Sequence, residues 1–251
     1  MLKTVNKEIR SIQHELKSLD KKTIIVFLSV AILQTISWYY TSRQFFRDNI
    51  YNSFSGYKYI DLMEFLFWFA TDFITLLIIP LLIIRIVFKE RLRDFGFRVG
   101  NYKYGLSAAG ISLIFILLIL WYISNDPEFL SDYPLLESAG ENWTIFIIYE
   151  AGLLLYLFAW EYIWRGFMLF GLEKRFGLYS IFIQMIPFVI LHNGKPALET
   201  FGAIIGAILL GILALRTRSF IYGVIIHFFV IFGIDLISVI HTKFYLSSKF
   251  F

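Results

Sequence analysis

Ionisable side chains interrupt the apolar stretches of this sequence, and most of them lie in its C-terminal half. A charged side chain in lipid is costly unless it is paired or faces a polar cavity. Seven of the eight follow residue 149; the eight are Asp72, Glu150, Glu161, Arg165, His192, Glu199, His227 and Asp235. We interpret Asp72 and Glu150 as helix-packing groups. The clustering of the other six predicts one polar site in that half of the chain.

Two pairs of these residues have spacings that can bring them to one site. Glu161 and Arg165 are four residues apart, so on a helix they share a face and can form an ion pair. We expect Arg165 to orient the carboxylate. His227 and Asp235 are eight residues apart, which is about 80° around a helix, so both can face the same cavity.

His192 stands at the end of an apolar segment, directly before Asn193-Gly194-Lys195-Pro196. Glycine and proline end a helix there, and backbone freed from helical bonds is tolerated at membrane depth only inside protein or beside water. A rise of about 1.5 Å per residue gives each side chain a depth in the membrane. The residues that fall in one band near its middle are Glu161, His192, Glu199, His227 and Asp235.

These residue types allow hydrolysis without a thiol, since the chain has no cysteine. A carboxylate can take a proton from water as a general base, and a histidine or another donor can stabilise the oxyanion that forms. Two histidines and a glutamate could instead hold a zinc ion with an open position for water. The residues fit both schemes.

The rest of the sequence has to position these side chains inside a membrane. Hydrophobic residues make up 58% of the chain and charged residues 17%, with a mean hydropathy of +0.69, which is more apolar than a soluble domain. Aromatic residues make up 20%, which is typical of rings at two membrane interfaces. We attribute the net charge of +4 to cytoplasmic loops. The expected partner is the lipid bilayer, not nucleic acid.

Seven apolar segments are candidates to span a bilayer; they cover residues 23–41, 64–88, 104–123, 144–170, 178–192, 197–215 and 219–242. The predicted fold class is all-α, a polytopic membrane helix bundle with about seven or eight transmembrane helices. We expect one membrane-embedded domain over residues 23–251. Before it, residues 1–22 carry Ile9, Ile12, Leu16 and Leu19 at helical spacing, which predicts a cytoplasmic amphipathic segment on the membrane surface.

Lysine and arginine predict the orientation of the spans. Residues 85–103 hold six of these cations, and none occurs between Lys103 and Arg165. Cytoplasmic loops are enriched in such cations, so the first region should be cytoplasmic and the second external. The alternation predicts an integral, multi-pass membrane protein with a cytoplasmic N-terminus, and we expect it in a bacterial plasma membrane.

Three short motifs resemble those of the CAAX-protease and bacteriocin-processing family, also called CPBP or Abi. Residues 160–166 (WEYIWRG) resemble its E-E-x-x-x-R motif, and residues 188–192 (FVILH) match its F-x-x-x-H motif. His227 lies where a third motif, H-x-x-x-N/D, would start. The order of the motifs and their location in apolar segments make the combination specific. The resemblance indicates a protease-like core at about residues 90–240.

The resemblance implies an all-helical membrane fold that cleaves peptide bonds within or next to the bilayer. It also implies that a glutamate, assisted by histidines, does the chemistry without a required metal. Two positions depart from the motifs. Trp160 stands where the first glutamate of the pair would be, so only Glu161 remains, and Ile231 stands where the third motif has Asn or Asp. Asp235 or Glu199 could supply the missing polar group.

These observations together predict an intramembrane endopeptidase that hydrolyses a peptide bond in a membrane-anchored protein or peptide. The predicted site residues are Glu161, His192 and His227 as catalytic residues and Arg165, Asp235 and Glu199 as supporting residues. Glu161 is the predicted general base for water, and no cofactor is expected, with zinc as the alternative. Two other functions fit the same residues: a catalytically silent membrane scaffold or immunity protein of the same fold, and a proton-coupled transporter.

Overall fold

The computed structural model describes residue 8 and residues 18–123, 133–195 and 197–248, without the side chains of residues 123 and 242–248. Most of the amphipathic segment predicted at residues 1–22 lies outside this part of the chain. The described helices are α1 (Lys21–Tyr40), α2 (Arg43–Asn49), α3 (Ile60–Phe88), α4 (Tyr102–Ile123), α5 (Glu137–Glu141), α6 (Trp143–Phe176), α7 (Tyr179–Ile190), α8 (Ala197–Thr217) and α9 (Ile221–Ser248).

The all-α prediction is confirmed. Within the described ranges, α1, α3, α4, α6, α8 and α9 are long and apolar enough to cross a membrane. The segment predicted at 178–192 corresponds to α7, which is apolar but shorter, with 12 residues. A helix of that length rises about 18 Å, less than the thickness of the hydrocarbon core. The seven predicted segments therefore correspond to six long helices and one short one.

Side chains just before two of these helices explain where the helices begin. The carboxylate of Asp20 accepts a hydrogen bond from the backbone N–H of Thr23 at 2.9 Å, and the Asn142 side chain accepts one from Thr144 N–H at 2.8 Å. Both satisfy N–H groups that have no partner within the helix. The bonds from Thr23 also hold the pKa of Asp20 below its usual value.

Helix α6 forms the centre of the bundle. It packs against α3 along one side and against α9 along another. Its second half is almost fully buried, including the ring systems of Tyr162 and Trp164 and the charged side chain of Arg165. Helices α7 and α8 pack together as a pair, and α4 covers the outer side of α9. The candidate site residues thus lie on helices within or next to the most buried part of the protein.

Asp72 serves as a packing group, in agreement with its interpretation from the sequence. It is 1% exposed and accepts hydrogen bonds from Ser37 at 3.0 Å, Thr41 at 2.5 Å and Trp68 at 2.9 Å. Three donors satisfy a buried carboxylate without a cation. Because Ser37 lies on α1 and Asp72 on α3, these bonds hold the first two long helices together.

Candidate active site

The helix that carries the first motif changes its geometry at that motif. Helix α6 is α-helical from Trp143 to Glu161, π-helical from Tyr162 to Met168, and α-helical again to Phe176. π-Helical turns are rare and occur frequently at functional sites. Glu161 is the last residue of the α-helical part, and Arg165 lies in the middle of the π-helical part. The motif therefore lies where the backbone departs from regular geometry.

Glu161 and Arg165 form the ion pair that their spacing predicts. Nη1 of Arg165 donates to Oε1 of Glu161 at 3.1 Å, and neither side chain has any exposed surface. The guanidinium group also lies over the ring of Phe188, with Cζ 4.0 Å from the ring centre, a favourable cation–π arrangement. The described residues offer no partner to Nε and Nη2 of Arg165 or to Oε2 of Glu161. The centre of the bundle thus contains a charged pair with unused hydrogen-bonding capacity.

His227 on α9 joins this pair from the opposite helix. Its Nδ1 donates to Oε1 of Glu161 at 2.8 Å, and its side chain is 17% exposed. Gly223, one turn earlier on α9, allows the close approach: a Cβ atom at that position would lie 2.7 Å from Oε2 of Glu161. Gly223 is not among the site residues predicted from the sequence. Its position four residues before His227, and so on the same helix face, is the signal that could have identified it.

His192 lies beside the same cluster, directly after the end of α7. Its Nδ1 donates to the backbone carbonyl of Phe188 at 2.7 Å. Because a carbonyl oxygen only accepts, Nδ1 carries the proton, and Nε2 of the neutral ring is an acceptor. The Phe188 ring centre is 4.5 Å from that of His192 and 6.4 Å from that of His227. Phe188 therefore separates and orients the two imidazoles, a role that its motif position alone does not indicate.

The two predicted supporting residues Asp235 and Glu199 have other neighbours in the described structure. Asp235 is buried near Glu150 of α6, and the described residues offer no hydrogen-bond partner to the carboxyl oxygens of either residue. Glu199 forms an ion pair with Lys195 and accepts a hydrogen bond from the Tyr133 hydroxyl at 3.0 Å. The structure thus brings Glu161, Arg165 and His227 into contact with His192 beside them. For Asp235 and Glu199 a supporting role remains a prediction.

Trp160 points to a different side of α6 from Glu161. Its indole packs on Tyr156, Trp164 and Phe188 and lines a cavity of about 660 Å³ between α1, α2, α3 and α6. Adjacent residues on a helix are about 100° apart, so Trp160 and Glu161 face different sides of α6. Trp160 shares the Phe188 ring with Arg165, the cation that pairs with Glu161.

The donor set for a metal ion is incomplete in the described part of the chain. There, no group of three or more His, Asp or Glu side chains has an arrangement that could hold a metal ion. His227 uses Nδ1 for Glu161, and His192 uses Nδ1 for Phe188. Nε2 of each ring remains available as a ligand or a base, and the steps below involve only the chain's own residues.

Fold and site together define a polytopic helical membrane protein with a buried carboxylate and two imidazoles inside its bundle. Residues 141–232 match the family model described as type II CAAX prenyl endopeptidase Rce1-like. This confirms the resemblance to the CPBP family that the motifs indicate. The matched range contains Glu161, His192 and His227. A search of curated proteins and a search of solved structures found no match.

Replacing Gly223 by alanine is expected to disrupt the cluster. The new methyl group would lie 2.7 Å from Oε2 of Glu161, so α9 or the carboxylate has to move, and the 2.8 Å contact with His227 lengthens. We expect the free energy of unfolding to fall by about 1–3 kcal/mol because of overpacking. We also expect the protein to lose activity. Gly206→Ala on α8 is the matched control, because a Cβ there has nothing within 4 Å. Equal stability and equal activity of the two variants would contradict the close approach of Gly223 to Glu161.

Proposed function

We propose that the protein is an intramembrane endopeptidase that cleaves a membrane-anchored protein or peptide by water activated at the Glu161–His227 pair. The observation that carries this proposal is the contact between these two residues, at 2.8 Å, with Arg165 fixing the same carboxylate oxygen. The family match over residues 141–232 supports a peptidase of the CAAX-protease type in general. The identity of the base and the roles of the histidines are parts of the proposal.

Glu161 and His227 act together as the base. The Glu161 carboxylate accepts the Nδ1 proton of His227, which leaves Nε2 of the neutral imidazole free to take a proton from water. Glu161 and Arg165 have no exposed surface, whereas His227 is 17% exposed. Water therefore reaches the imidazole more readily than the carboxylate, and Glu161 acts through His227.

The reaction consists of two bond changes at the peptide carbonyl carbon. The water oxygen bonds to that carbon while Nε2 of His227 takes one water proton, and the Glu161 charge stabilises the imidazolium that results. The carbon–nitrogen bond then breaks, its electron pair stays on nitrogen, and His227 returns the proton to the leaving amine. The products are a carboxylic acid, which ionises, and an amine. Nε2 of His192 accepts a hydrogen bond that holds the attacking water.

A catalytically silent scaffold or immunity protein of the same fold is the second candidate. The observation that favours it is Trp160, which stands where the family's motif has its first glutamate. Its indole faces the cavity beside α1 and α3, away from the contacts of Glu161. A scaffold would not need the buried charged cluster, which is costly in a membrane, and this cost favours the enzyme.

The test compares membrane proteomes of cells that lack the gene with cells that carry it as wild type, His227→Gln or His241→Gln. We expect some membrane-anchored peptide tails to be shortened with the wild type and with His241→Gln. His241 packs on the Trp121 ring near the end of α9 and serves as the control. We expect the same tails to remain uncut with His227→Gln at equal protein level. If the tails are shortened to the same extent with His227→Gln as with His241→Gln, the result would favour the catalytically silent scaffold over the peptidase.

A further inference from the structure

Two adjacent cavities lie along α1 and meet at Gln34 and Leu191. The first is the cavity of about 660 Å³ beside Trp160, which we call the outer cavity. The second has a volume of about 310 Å³ and lies between α1, α6 and α7; we call it the inner groove. Gln34 and Leu191 line both of them. The proposed chemistry uses neither cavity.

The two cavities differ in chemistry. Apart from Gln34, every residue that lines the inner groove is apolar. The outer cavity has aromatic walls, which include Trp68 and Tyr156, and a rim of exposed polar side chains from α2, namely Gln44, Asp48 and Asn49. Ligand sites of this size combine apolar walls with a few polar groups. The pair of cavities therefore fits an amphipathic molecule, with its apolar part in the groove and its polar part in the outer cavity.

The depth of Gln34 indicates a peptide as the occupant. Helix α1 has 20 residues, so its rise of about 30 Å matches the hydrocarbon core of a bilayer. Gln34 lies six residues before Tyr40 at the end of α1, which is about 9 Å inside the core. Its Nε2 is buried and has no hydrogen-bond partner among the described residues. The carbonyl groups of a bilayer lipid lie at the interface, whereas a peptide can offer a carbonyl oxygen to this donor.

The junction of the two cavities lies beside the candidate active site. Leu191 directly precedes His192, and Trp160 directly precedes Glu161. The Trp160 ring centre is 6.0 Å from that of Phe188, which is in turn 4.5 Å from that of His192. A peptide bond at the junction is thus separated from the imidazoles by these side chains alone, and side-chain rotation, which is common on binding, would admit it.

We propose that the outer cavity and the inner groove bind the substrate of the proposed peptidase. Its apolar membrane anchor lies in the groove, its polar part lies in the outer cavity, and the cut falls where the two parts meet. On the orientation predicted from lysine and arginine, α1 ends at the external face, so the polar part enters from outside. This inference rests on the proposed function, but access to the outer cavity can be measured without cleavage.

Cysteine labelling in intact cells tests access from outside, because the chain has no cysteine of its own. A thiol reacts as the thiolate, which forms in water and not in lipid. We expect a membrane-impermeant maleimide to label Ser37→Cys, inside the outer cavity, but not Ile32→Cys, which is 57% exposed on the lipid-facing side of the same helix. If Ser37→Cys does not insert, Gln34→Cys takes its place. Labelling only from the cytoplasmic side would overturn the proposal, as would labelling from neither side, because lipid would then fill the cavity.

The same label tests whether the outer cavity holds the substrate. We expect Ser37→Cys to lose cleavage of the membrane-anchored tails once it is labelled, relative to the same variant before labelling. The wild type has no thiol and should cleave equally with and without the reagent. Unchanged cleavage by the fully labelled variant would overturn substrate binding in this cavity, as would tails that are shortened on the cytoplasmic side, and in both cases the peptidase proposal would stand. If the wild type cuts no tail, the peptidase proposal fails and the assignment of a substrate fails with it, while the labelling still decides the external access.

Discussion

Replacing Glu161 by alanine or glutamine is expected to abolish proteolysis, with a loss of at least about 100-fold, because His227 then lacks the charge that supports it as the general base. Glutamine keeps the shape of the side chain and can still bond to His227, but it carries no charge to stabilise an imidazolium. Both variants should therefore lose activity to a similar degree. The measurement is the rate at which the shortened tail appears in membranes that contain equal amounts of each variant.

Glu173→Gln is the control for the Glu161 variants. Glu173 lies on the same helix and pairs with Arg218 at 2.5 and 2.7 Å, but its side chain is 31% exposed, and a surface ion pair contributes little to stability. We expect this variant to cleave at the wild-type rate. Activity in Glu161→Gln equal to that of the control would show that the carboxylate charge is not needed.

Replacing Arg165 by methionine should have the largest effect on stability. The side chain is fully buried and is the cation that pairs with Glu161. Removing one partner of a buried pair leaves an uncompensated charge, which costs about 3–5 kcal/mol. The loss of the contact with the Phe188 ring, 4.0 Å away, adds to this. We expect a large drop in the thermal unfolding midpoint in detergent.

The double variant Glu161→Leu/Arg165→Met separates structure from chemistry. Replacing both members of a buried ion pair by apolar residues is often neutral or stabilising, so we expect stability to return close to that of the wild type. Activity should remain absent, since no carboxylate is left to support His227. If the double variant is as unstable as Arg165→Met alone, the unpaired charge of Glu161 is not the cause of the instability of Arg165→Met.

Helix periodicity and apolar length predict most of the bundle, because both depend on local sequence. The ion pair of Glu161 and Arg165 follows from their spacing on one helix, and the structure has it at 3.1 Å. The ends of α7 do not follow from the sequence, because a short helix inside a bundle does not have to span the bilayer and so has no fixed length. The spans that the sequence predicts differ from the helices mainly at such ends.

Contacts between helices were harder to predict than contacts within them. The spacing of His227 and Asp235 suggested that both face one cavity, yet His227 contacts Glu161 at 2.8 Å, while Asp235 lies near Glu150. The side chains of His227 and Asp235 differ by about 80° around α9, so they point toward different parts of α6. Only the packing angle between the two helices decides which residue of α6 each one approaches. Glu150 is interpreted from the sequence as a packing group, because Asp235 lies 85 residues later and only the packing of two helices brings them near each other.

The most direct test of the Glu161–His227 pair is cleavage by the purified protein in liposomes, with a peptide tail identified from the proteome comparison as substrate and water labelled with heavy oxygen. We expect the wild type to release a product with one heavy oxygen atom in its new carboxyl group. We expect no product from Glu161→Gln or His227→Gln when each variant is folded and inserted in the membrane. Labelled product formed by Glu161→Gln at the wild-type rate would contradict catalysis by the Glu161–His227 pair.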